Sequence, residues 1–181
     1  MTARIERVTF PGSQQAQLAA RLDLPAGPPR AFALFAHCFT CGKDIAAASR
    51  IANALTDLGF GVLRFDFTGL GMSEGEFENT NFTSNADDLV AAADWLRREH
   101  RAPQVLVGHS LGGSAVLAGA ADIPEVRAVV TIGAPASPAN VIGHFESSLD
   151  EIAATGSAEV QLAGRPFRIR QQFVDDLRDH V

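Results

Sequence analysis

The hydrophobic residues of this chain follow two spacings, one typical of strands and one typical of helices. In residues 18–24 every second position is apolar, which predicts a strand with one face in water. Residues 5–10 precede this segment across a Pro-Gly-Ser turn at positions 11–13. Together the two segments predict an antiparallel hairpin at the edge of a sheet.

Four later segments are almost continuous runs of apolar residues. Runs of this kind are typical of strands that are buried on both faces, as in parallel sheets. They comprise residues 31–36, 62–65, 105–107 and 126–132. We therefore expect most of the sheet to be parallel.

Helical spacing of apolar residues fills the intervals between these runs. One helix is predicted after Asp44, a capping residue, and it ends at Gly59, a residue type common at helix C-caps. A second opens at positions 83–84 with an acidic pair, 87–88, in its first turn, and residues 111–121 form a third. This order of elements predicts an α/β fold, with a mostly parallel sheet of about six strands and helices on both faces.

The C-terminal quarter of the chain changes character. Ser137 and Pro138 fit the N-cap and first position of one amphipathic helix, and residues 159–169 fit a short hairpin before a final helix. We therefore predict two parts, an α/β core at residues 1–136 and a lid segment at residues 137–181.

The charge balance narrows the range of partners that this chain is expected to have. Lys and Arg number 15 against 21 Asp and Glu, which gives a net charge of −6, and no short window is strongly basic. This balance argues against nucleic acid or an anionic membrane as the partner. No apolar run approaches the roughly 18 residues of a membrane span, and no hydrophobic leader follows Met1, so we expect a soluble, cytoplasmic protein.

Residues 108–112 read GHSLG and fit the pattern G-x-S-x-G. In this pattern a serine sits on a tight turn between a strand and a helix, and the turn has room only for small residues two positions before and after it. The context agrees, because a predicted buried strand precedes Ser110 and a helix of small residues follows it. Ser110 is therefore the candidate nucleophile.

This motif and its surroundings resemble the α/β-hydrolase superfamily. Residues 33–44, which contain FAHCFTCGKD, occupy the place of its oxyanion loop, and residues 66–73, DFTGLGMS, look like its D-x-x-G-x-G-x-S loop. The combination of HCFTCGKD, RFDFTGLG-x-SEGEF and GRPFRIR is similar to the hydrolase part of bacterial fusion proteins with a C-terminal OsmC-like domain. That second domain, a partner in such full-length relatives, is absent from this sequence.

The resemblance implies a mechanism as well as a fold. Ser110 would attack an ester, or less readily an amide or peptide bond, and form an acyl-serine intermediate, as in carboxylesterases or serine aminopeptidases. The backbone N–H of Leu111 is the expected first oxyanion donor, and that of Phe39, rather than Cys38, is the expected second. The resemblance implies no metal or organic cofactor, and the expected partner is a small-molecule ester.

The partners of the serine are missing from their expected places. In the superfamily an acid and then a histidine follow the serine, each after a later strand. No such strands are predicted beyond residue 132, and His144 and His180 both lie on helical segments that offer no acid from a separate strand. The length of the chain is therefore expected to reflect truncation before the strands that would carry the acid and the histidine. Two interpretations stay open: a serine hydrolase that lost its acid and base, and a non-catalytic binding or assembly fragment.

Cys38 and Cys41 support a rival chemistry. They form a C-x-x-C pair between a strand and a helix start, which is the setting of a thioredoxin-like redox site. The pair also fits as small buried residues in the oxyanion loop. A dinucleotide site at residues 69–71 is disfavoured, because a polar loop follows where that motif needs a helix. A thiol redox module is therefore the alternative activity.

Two apolar surfaces follow from this interpretation. The apolar residues of the predicted lid are Phe145, Leu149, Phe167 and Phe173. They could line an acyl pocket or pack on the core, and packing on the core is favoured. With no later strand beside it, the run at residues 126–132 forms an exposed apolar sheet edge. We therefore expect self-association through this strand.

Overall fold

A six-stranded sheet forms the centre of the computed structural model, which describes residues 4–180. Its strands are β1 (Arg4–Pro11), β2 (Gln17–Leu24), β3 (Ala31–Ala36), β4 (Phe60–Phe65), β5 (Val105–His109) and β6 (Ala128–Ile132). They lie side by side in the order β1-β2-β4-β3-β5-β6. The six predicted strands are therefore confirmed.

Strands β3 to β6 are parallel, and β3 lies between β4 and β5. The predicted hairpin of β1 and β2 is antiparallel and joins the sheet through β2 and β4. Ala36 is aligned with Gly108 in the register of β3 and β5. The loops that follow these two strands therefore leave the same edge of the sheet as close neighbours.

Helices cover both faces of the sheet, as predicted. They are α1 (Ala46–Asp57), α2 (Phe82–Glu99), α3 (Leu111–Gly119), α4 (Leu149–Thr155) and α5 (Gln171–Asp179). Ala33 and Phe35 of β3 pack in the small core under α1, while Leu34 and Ala36 belong to the larger core that contains α2 and α3. Within residues 4–180, no helix is both long and apolar enough to cross a membrane.

Two helix starts differ from the prediction. Asp44 does not cap α1, because the N-cap position is Ile45 and the Asp44 carboxylate accepts a hydrogen bond from Lys43 Nζ at 2.8 Å. The N-cap of α2 is Asn81, whose side chain accepts the Ser84 N–H at 2.7 Å. The Asp44 carboxylate is engaged by Lys43, and the cap of α2 is a reciprocal pair of hydrogen bonds between Asn81 and Ser84.

Asp88 lies deeper in α2 than the predicted first turn, and it is buried. Its carboxylate accepts hydrogen bonds from the N–H and the hydroxyl of Thr68, at 2.9 and 2.8 Å. It also accepts the N–H and the hydroxyl of Ser13, at 2.9 and 2.8 Å. One carboxylate thereby joins the turn of the first hairpin, the loop after β4 and α2.

The segment from residue 137 is less regular than predicted. Ser137 is an N-cap, but the single predicted helix is broken into the 3₁₀ turns Pro138–His144 and Glu146–Ser148 and then α4. The break falls at Phe145, whose φ of −140° is not helical and whose side chain is buried in the core. Burial of this ring therefore outweighs the continuous helical pattern.

A hairpin and a helix complete this segment in the predicted order. The strands β7 (Ser157–Leu162) and β8 (Arg165–Arg170) are antiparallel, and α5 follows them. Val181, into which the last helix was predicted to run, lies outside the described residues. The guanidinium of Arg165 donates to the carbonyl of Thr40 in the loop after β3. The hairpin is thus fastened to the edge of the main sheet.

The predicted burial of β6 on both faces is wrong. Val130 and Ile132 are 45% and 38% exposed, and most of the strand is open to solvent. Within residues 4–180, β5 is the one strand that pairs with β6, so its other edge has no strand partner. The apolar side chains of β6 are therefore left largely uncovered by the other residues of the segment 4–180.

Candidate active site

Ser110 lies on the sharp turn between β5 and α3. Its backbone has φ 54° and ψ −125°, a conformation that residues with a side chain rarely adopt. The Ser110 N–H donates to the carbonyl of Ile132 at 2.9 Å, and the Ser110 carbonyl accepts the Gly113 N–H at 2.8 Å. The surrounding chain therefore holds this serine in a strained backbone conformation at the edge of the sheet.

The two glycines of the motif are required by close backbone contacts. A Cβ atom on Gly108 would lie 2.3 Å from the carbonyl oxygen of Gly112. One on Gly112 would lie 2.3 Å from the carbonyl oxygen of His37. The pattern G-x-S-x-G thus reports two places where the backbone of α3 touches neighbouring backbone.

The three residues predicted for the site meet at one cavity. Ser110, Leu111 and Phe39 line a space of about 210 Å³. The rest of its wall comes from Gly133, Pro135, Asn140, Val141 and His144. Leu111 is the first residue of α3, so positive potential from the helix N-terminus faces the serine.

The loop after β3 contains a disulfide between Cys38 and Cys41. The Cys41 N–H also donates to the Cys38 carbonyl at 3.0 Å, which closes a tight turn around Phe39 and Thr40. Thr40 has a φ of 63°, in the left-handed region. The cysteines were predicted either as small fillers or as a dithiol, and the structure makes them a crosslink within the loop.

His37 forms the base of this loop and is buried. Its Nδ1 lies 2.8 Å from the Cys38 carbonyl, and its Nε2 lies 3.4 Å from the backbone nitrogen of Phe67. These partners fit a neutral ring that donates from Nδ1 and accepts at Nε2. Burial lowers the pKa of His37, although the hydrogen bond to Cys38 opposes this shift.

Asp66, the first residue of the D-x-x-G-x-G-x-S loop, fixes a second loop beside the first. Its carboxylate accepts the Lys43 N–H at 2.6 Å, Lys43 Nζ at 3.0 Å and the Met72 N–H at 3.0 Å. A Cβ atom on Gly71 would lie 2.3 Å from the carboxyl carbon of Asp66. Burial lowers the pKa of Lys43, but its bonds to Asp44 and Asp66 outweigh burial and raise it.

A buried ion pair supports these loops from below. Arg64 Nε donates to the Asp23 carboxylate at 2.9 Å, and both side chains are buried. Arg64 Nη1 donates to the Lys43 carbonyl at 2.6 Å and to the Ser49 hydroxyl at 3.1 Å. Sequence reasoning missed this pair, and the one available signal was an arginine inside an apolar strand run.

The histidines take positions that the sequence did not resolve. His144, predicted on a helix face, lies on a 3₁₀ turn and lines the Ser110 cavity. His180 lies 2.9 Å from the Thr83 hydroxyl, and that hydroxyl also donates to Asp176 at 2.6 Å. The His180 contact joins α5 to the start of α2, whereas His144 faces the serine cavity.

The aromatic residues of the predicted lid segment pack against the core and the loop after β3. Phe145 and Phe173 are buried, and the rings of Phe39 and Phe173 stack with centroids 5.6 Å apart. Phe77 contacts the rings of Phe167 and Phe173 at 5.0 and 6.0 Å. These contacts support packing rather than an open acyl pocket.

Within the described part of the chain, no group of three His, Cys, Asp or Glu side chains is arranged to hold a metal ion.

Curated relatives match part of the chain. Residues of this chain are 32% identical over 107 positions to the human palmitoyl-protein thioesterase ABHD10, mitochondrial, covering 59% of this chain and 32% of the relative. An uncharacterized 31.7 kDa protein of Escherichia coli is 29% identical over 101 positions, covering 54% of this chain and 35% of that protein. The matched part thus spans about a third of these relatives' length.

Solved structures extend the likeness over the whole fold. The esterase domain of a Rhodothermus marinus protein is 46% identical, with a TM-score of 0.70, over 97% of this chain and 68% of the other. A lidless a/b serine hydrolase of Xanthomonas campestris is 28% identical, with a TM-score of 0.66, over 74% of this chain and 62% of the other. The family profile of serine aminopeptidase, S33, matches residues 27–177. The chain therefore belongs to the serine aminopeptidase S33 family of α/β hydrolases.

Proposed function

We propose that Ser110 is the nucleophile of a serine hydrolase that cleaves an ester, or less readily an amide or peptide bond. The observation that carries this proposal is the strained turn at Ser110, which opens on a cavity shared with Leu111 and Phe39. A strained strand-to-helix turn exposes the serine hydroxyl in α/β hydrolases. Such strain persists only where the surrounding structure maintains it, and it clusters at functional sites.

In the proposed reaction the Ser110 hydroxyl attacks the acyl carbonyl carbon, and the carbonyl oxygen becomes an oxyanion. The backbone N–H groups of Leu111 and Phe39 would donate to that oxygen. Each such donor contributes on the order of 10²–10³ in rate, because it is already oriented before the reaction. The alcohol then leaves with a proton, and Ser110 carries the acyl group until water releases it.

A short acyl group suits the cavity better than a long one. Its volume is about 210 Å³, below the roughly 300–1,000 Å³ that is usual for ligand pockets. Asn140 and His144 make part of its wall polar, and the lid aromatics pack elsewhere. The names of an esterase domain and a thioesterase among the relatives support acyl esters as the substrate class. A panel of p-nitrophenyl acetate, butyrate, octanoate and palmitate should give its fastest acylation with the shorter esters.

His144 is the candidate for the base that accepts the serine proton. His37 uses both ring nitrogens inside its loop, whereas His144 brings an imidazole to the cavity wall. We propose to test His144 with His144→Gln and the rate of acylation. A loss of about 10²–10⁴ in that rate would assign the proton transfer to His144, and an unchanged rate would exclude it.

A fluorophosphonate probe tests the nucleophile directly. We expect covalent labelling of Ser110, detected by mass spectrometry of the labelled peptide, and no labelling of Ser110→Ala. Ser114→Ala is the matched control, because Ser114 is a buried serine on the same helix that does not line this cavity. A wild-type chain that resists the probe, or a label on another residue, would contradict the proposal.

A further inference from the structure

The disulfide of the loop after β3 brackets Phe39, whose N–H is the proposed second oxyanion donor. Cys38 and Cys41 flank Phe39 and Thr40, and their Cα atoms lie 5.2 Å apart. Phe39 lines the cavity beside Ser110. The crosslink therefore lies next to the candidate site, and it closes the short turn that presents Phe39.

The turn inside this crosslink has a conformation that its sequence does not favour. Thr40 has a φ of 63°, and a β-branched residue rarely adopts this left-handed region. Two further contacts hold the turn, namely the bond from the Cys41 N–H to the Cys38 carbonyl and the donation from Arg165 to the Thr40 carbonyl. The disulfide is the covalent restraint among them, so its opening leaves two hydrogen bonds to hold the strained Thr40.

Relaxation at Thr40 would turn the peptide groups on either side of it. The Phe39 N–H is one residue away, and the Phe39 ring is anchored on Phe173 and Phe77, with centroids 5.6 and 5.9 Å apart. The ring would therefore stay while the backbone of the turn rotates. Oxyanion donors act only when they point at the developing charge, so a small rotation is enough to weaken one.

Both cysteines are accessible to a reductant, because each is only partly buried. Exposed disulfides are more readily reduced than buried structural ones, and they are the ones that serve regulation or catalysis. A loop disulfide beside a catalytic serine is thus in a position where the redox state of the cell can reach it.

We infer that the Cys38–Cys41 disulfide is a redox-controlled positioning pair, which holds the Phe39 N–H toward the Ser110 site when oxidised and releases it when reduced. This inference rests on the proposed function, because it acts through the oxyanion donor of that same site. The pair does not touch the substrate. Its effect falls on the rate of acylation and not on binding.

The chemical step is exchange with a dithiol of the thioredoxin class. A thiolate of the dithiol attacks one sulfur of the pair, the Cys38–Cys41 bond breaks, and a mixed disulfide forms. The second thiol of the dithiol resolves this intermediate, so that two electrons and two protons pass to Cys38 and Cys41. The dithiol becomes a disulfide. Oxidised glutathione, through the reverse exchange, restores the crosslink.

The test compares fluorophosphonate labelling of the oxidised and the dithiothreitol-reduced chain, with kinact and KI determined separately. We expect reduction to lower kinact by tenfold or more, toward the 10²–10³ of a whole lost donor, and to leave KI within about twofold. Oxidised glutathione should restore the rate. The double variant Cys38→Ser/Cys41→Ser should be slow throughout and indifferent to dithiothreitol, which controls for the reagent.

Each outcome decides between the two proposals. Equal kinact in both redox states, or two free thiols in the air-oxidised chain, would overturn the redox inference and leave the proposed function standing. Labelling in neither state would overturn the proposed function and the inference with it. Circular dichroism of the reduced chain completes the test, because loss of the native spectrum would show that the disulfide maintains the fold rather than the donor.

Discussion

Gly112 of α3 lies so close to His37 that a Cβ atom on it would be 2.3 Å from the His37 carbonyl oxygen. The same Cβ would be 2.5 Å from the carbonyl oxygen of Ala36. This contact brings the start of α3 and the loop after β3 together. The missing side chain at Gly112 therefore lets the turn of Ser110 approach the loop that contains Phe39, the proposed second oxyanion donor.

Gly112→Ala should destabilise the fold by about 3 kcal/mol or more, because backbone atoms on both sides cannot move away from the added methyl group. Urea unfolding followed by circular dichroism measures the change. Gly143→Ala is the matched control, since a Cβ there meets nothing within 4 Å, and its effect should stay within about 0.5 kcal/mol. Equal stability of the two variants would refute the close contact.

Ser110→Gly should be more stable than Ser110→Ala by about 1 kcal/mol. Glycine accepts the φ of 54° and ψ of −125° without strain, whereas alanine keeps the strain of the serine. Neither variant has the hydroxyl, so the comparison isolates the backbone. The urea midpoints of the two proteins provide the measurement, and an alanine variant at least as stable as the glycine variant would contradict the expectation.

Arg64→Met should destabilise the protein by about 3–5 kcal/mol, because it leaves the buried Asp23 without its arginine partner. Asp23 keeps Arg21, at 3.0 Å, as a neighbour, which favours the lower end of this range. Arg97→Gln breaks a more exposed pair with Glu125 and should cost far less, because solvent screens that pair. Thermal or urea unfolding of both variants ranks them, and the reverse order would exclude a structural role for the buried pair.

The stability of the fold should fall with pH below about 6.5 through His37. Burial lowers the pKa of this histidine from 6.5, so over that window the unfolded chain binds a proton that the folded chain does not. Stability is therefore retained above pH 6.5 and lost as the pH falls toward the lowered pKa. His37→Gln should flatten the slope between pH 7 and 5, measured by urea unfolding at each pH.

Self-association through β6 is the expected behaviour of the purified chain. Val130 and Ile132 are exposed on a strand whose outer edge has no strand partner within residues 4–180. Val130→Lys should shift sizing chromatography toward the monomer. Ile5→Lys is the control, because β1 is also an edge strand but already carries charged residues. A monomer at every concentration would contradict this expectation.

Local sequence patterns predicted the order of strands and helices. They did not predict where some helices begin or break. Apolar runs located β3 and β5 closely, because a strand buried on both faces leaves a continuous signal. The break at Phe145 and the start of α1 behind Ile45 were missed. Both depend on partners distant in the sequence or on a competing ion pair, and local spacing contains neither.

The sequence located the residues of the candidate site where backbone contacts decide their position. Ser110, Leu111 and Phe39 meet at one cavity because small residues and adjacent parallel strands force the two loops together. The left-handed backbone at Thr40 could not be predicted from the sequence, since a threonine is an unexpected residue at a φ of 63°. The hydrogen bonds of the Asp66 carboxylate were not predicted either, because a sequence motif does not show which backbone amides a carboxylate accepts.

The four hydrogen bonds at Asp88 have a consequence for the order in which the chain becomes structured during synthesis. The turn of the first hairpin depends on a carboxylate 75 residues downstream of Ser13. β2 likewise pairs in the main sheet with β4, so the N-terminal strands lack their sheet partner until that strand has been made. The ribosome therefore has to release the chain through most of α2, which ends at Glu99, before the beginning of the chain can settle into its final place.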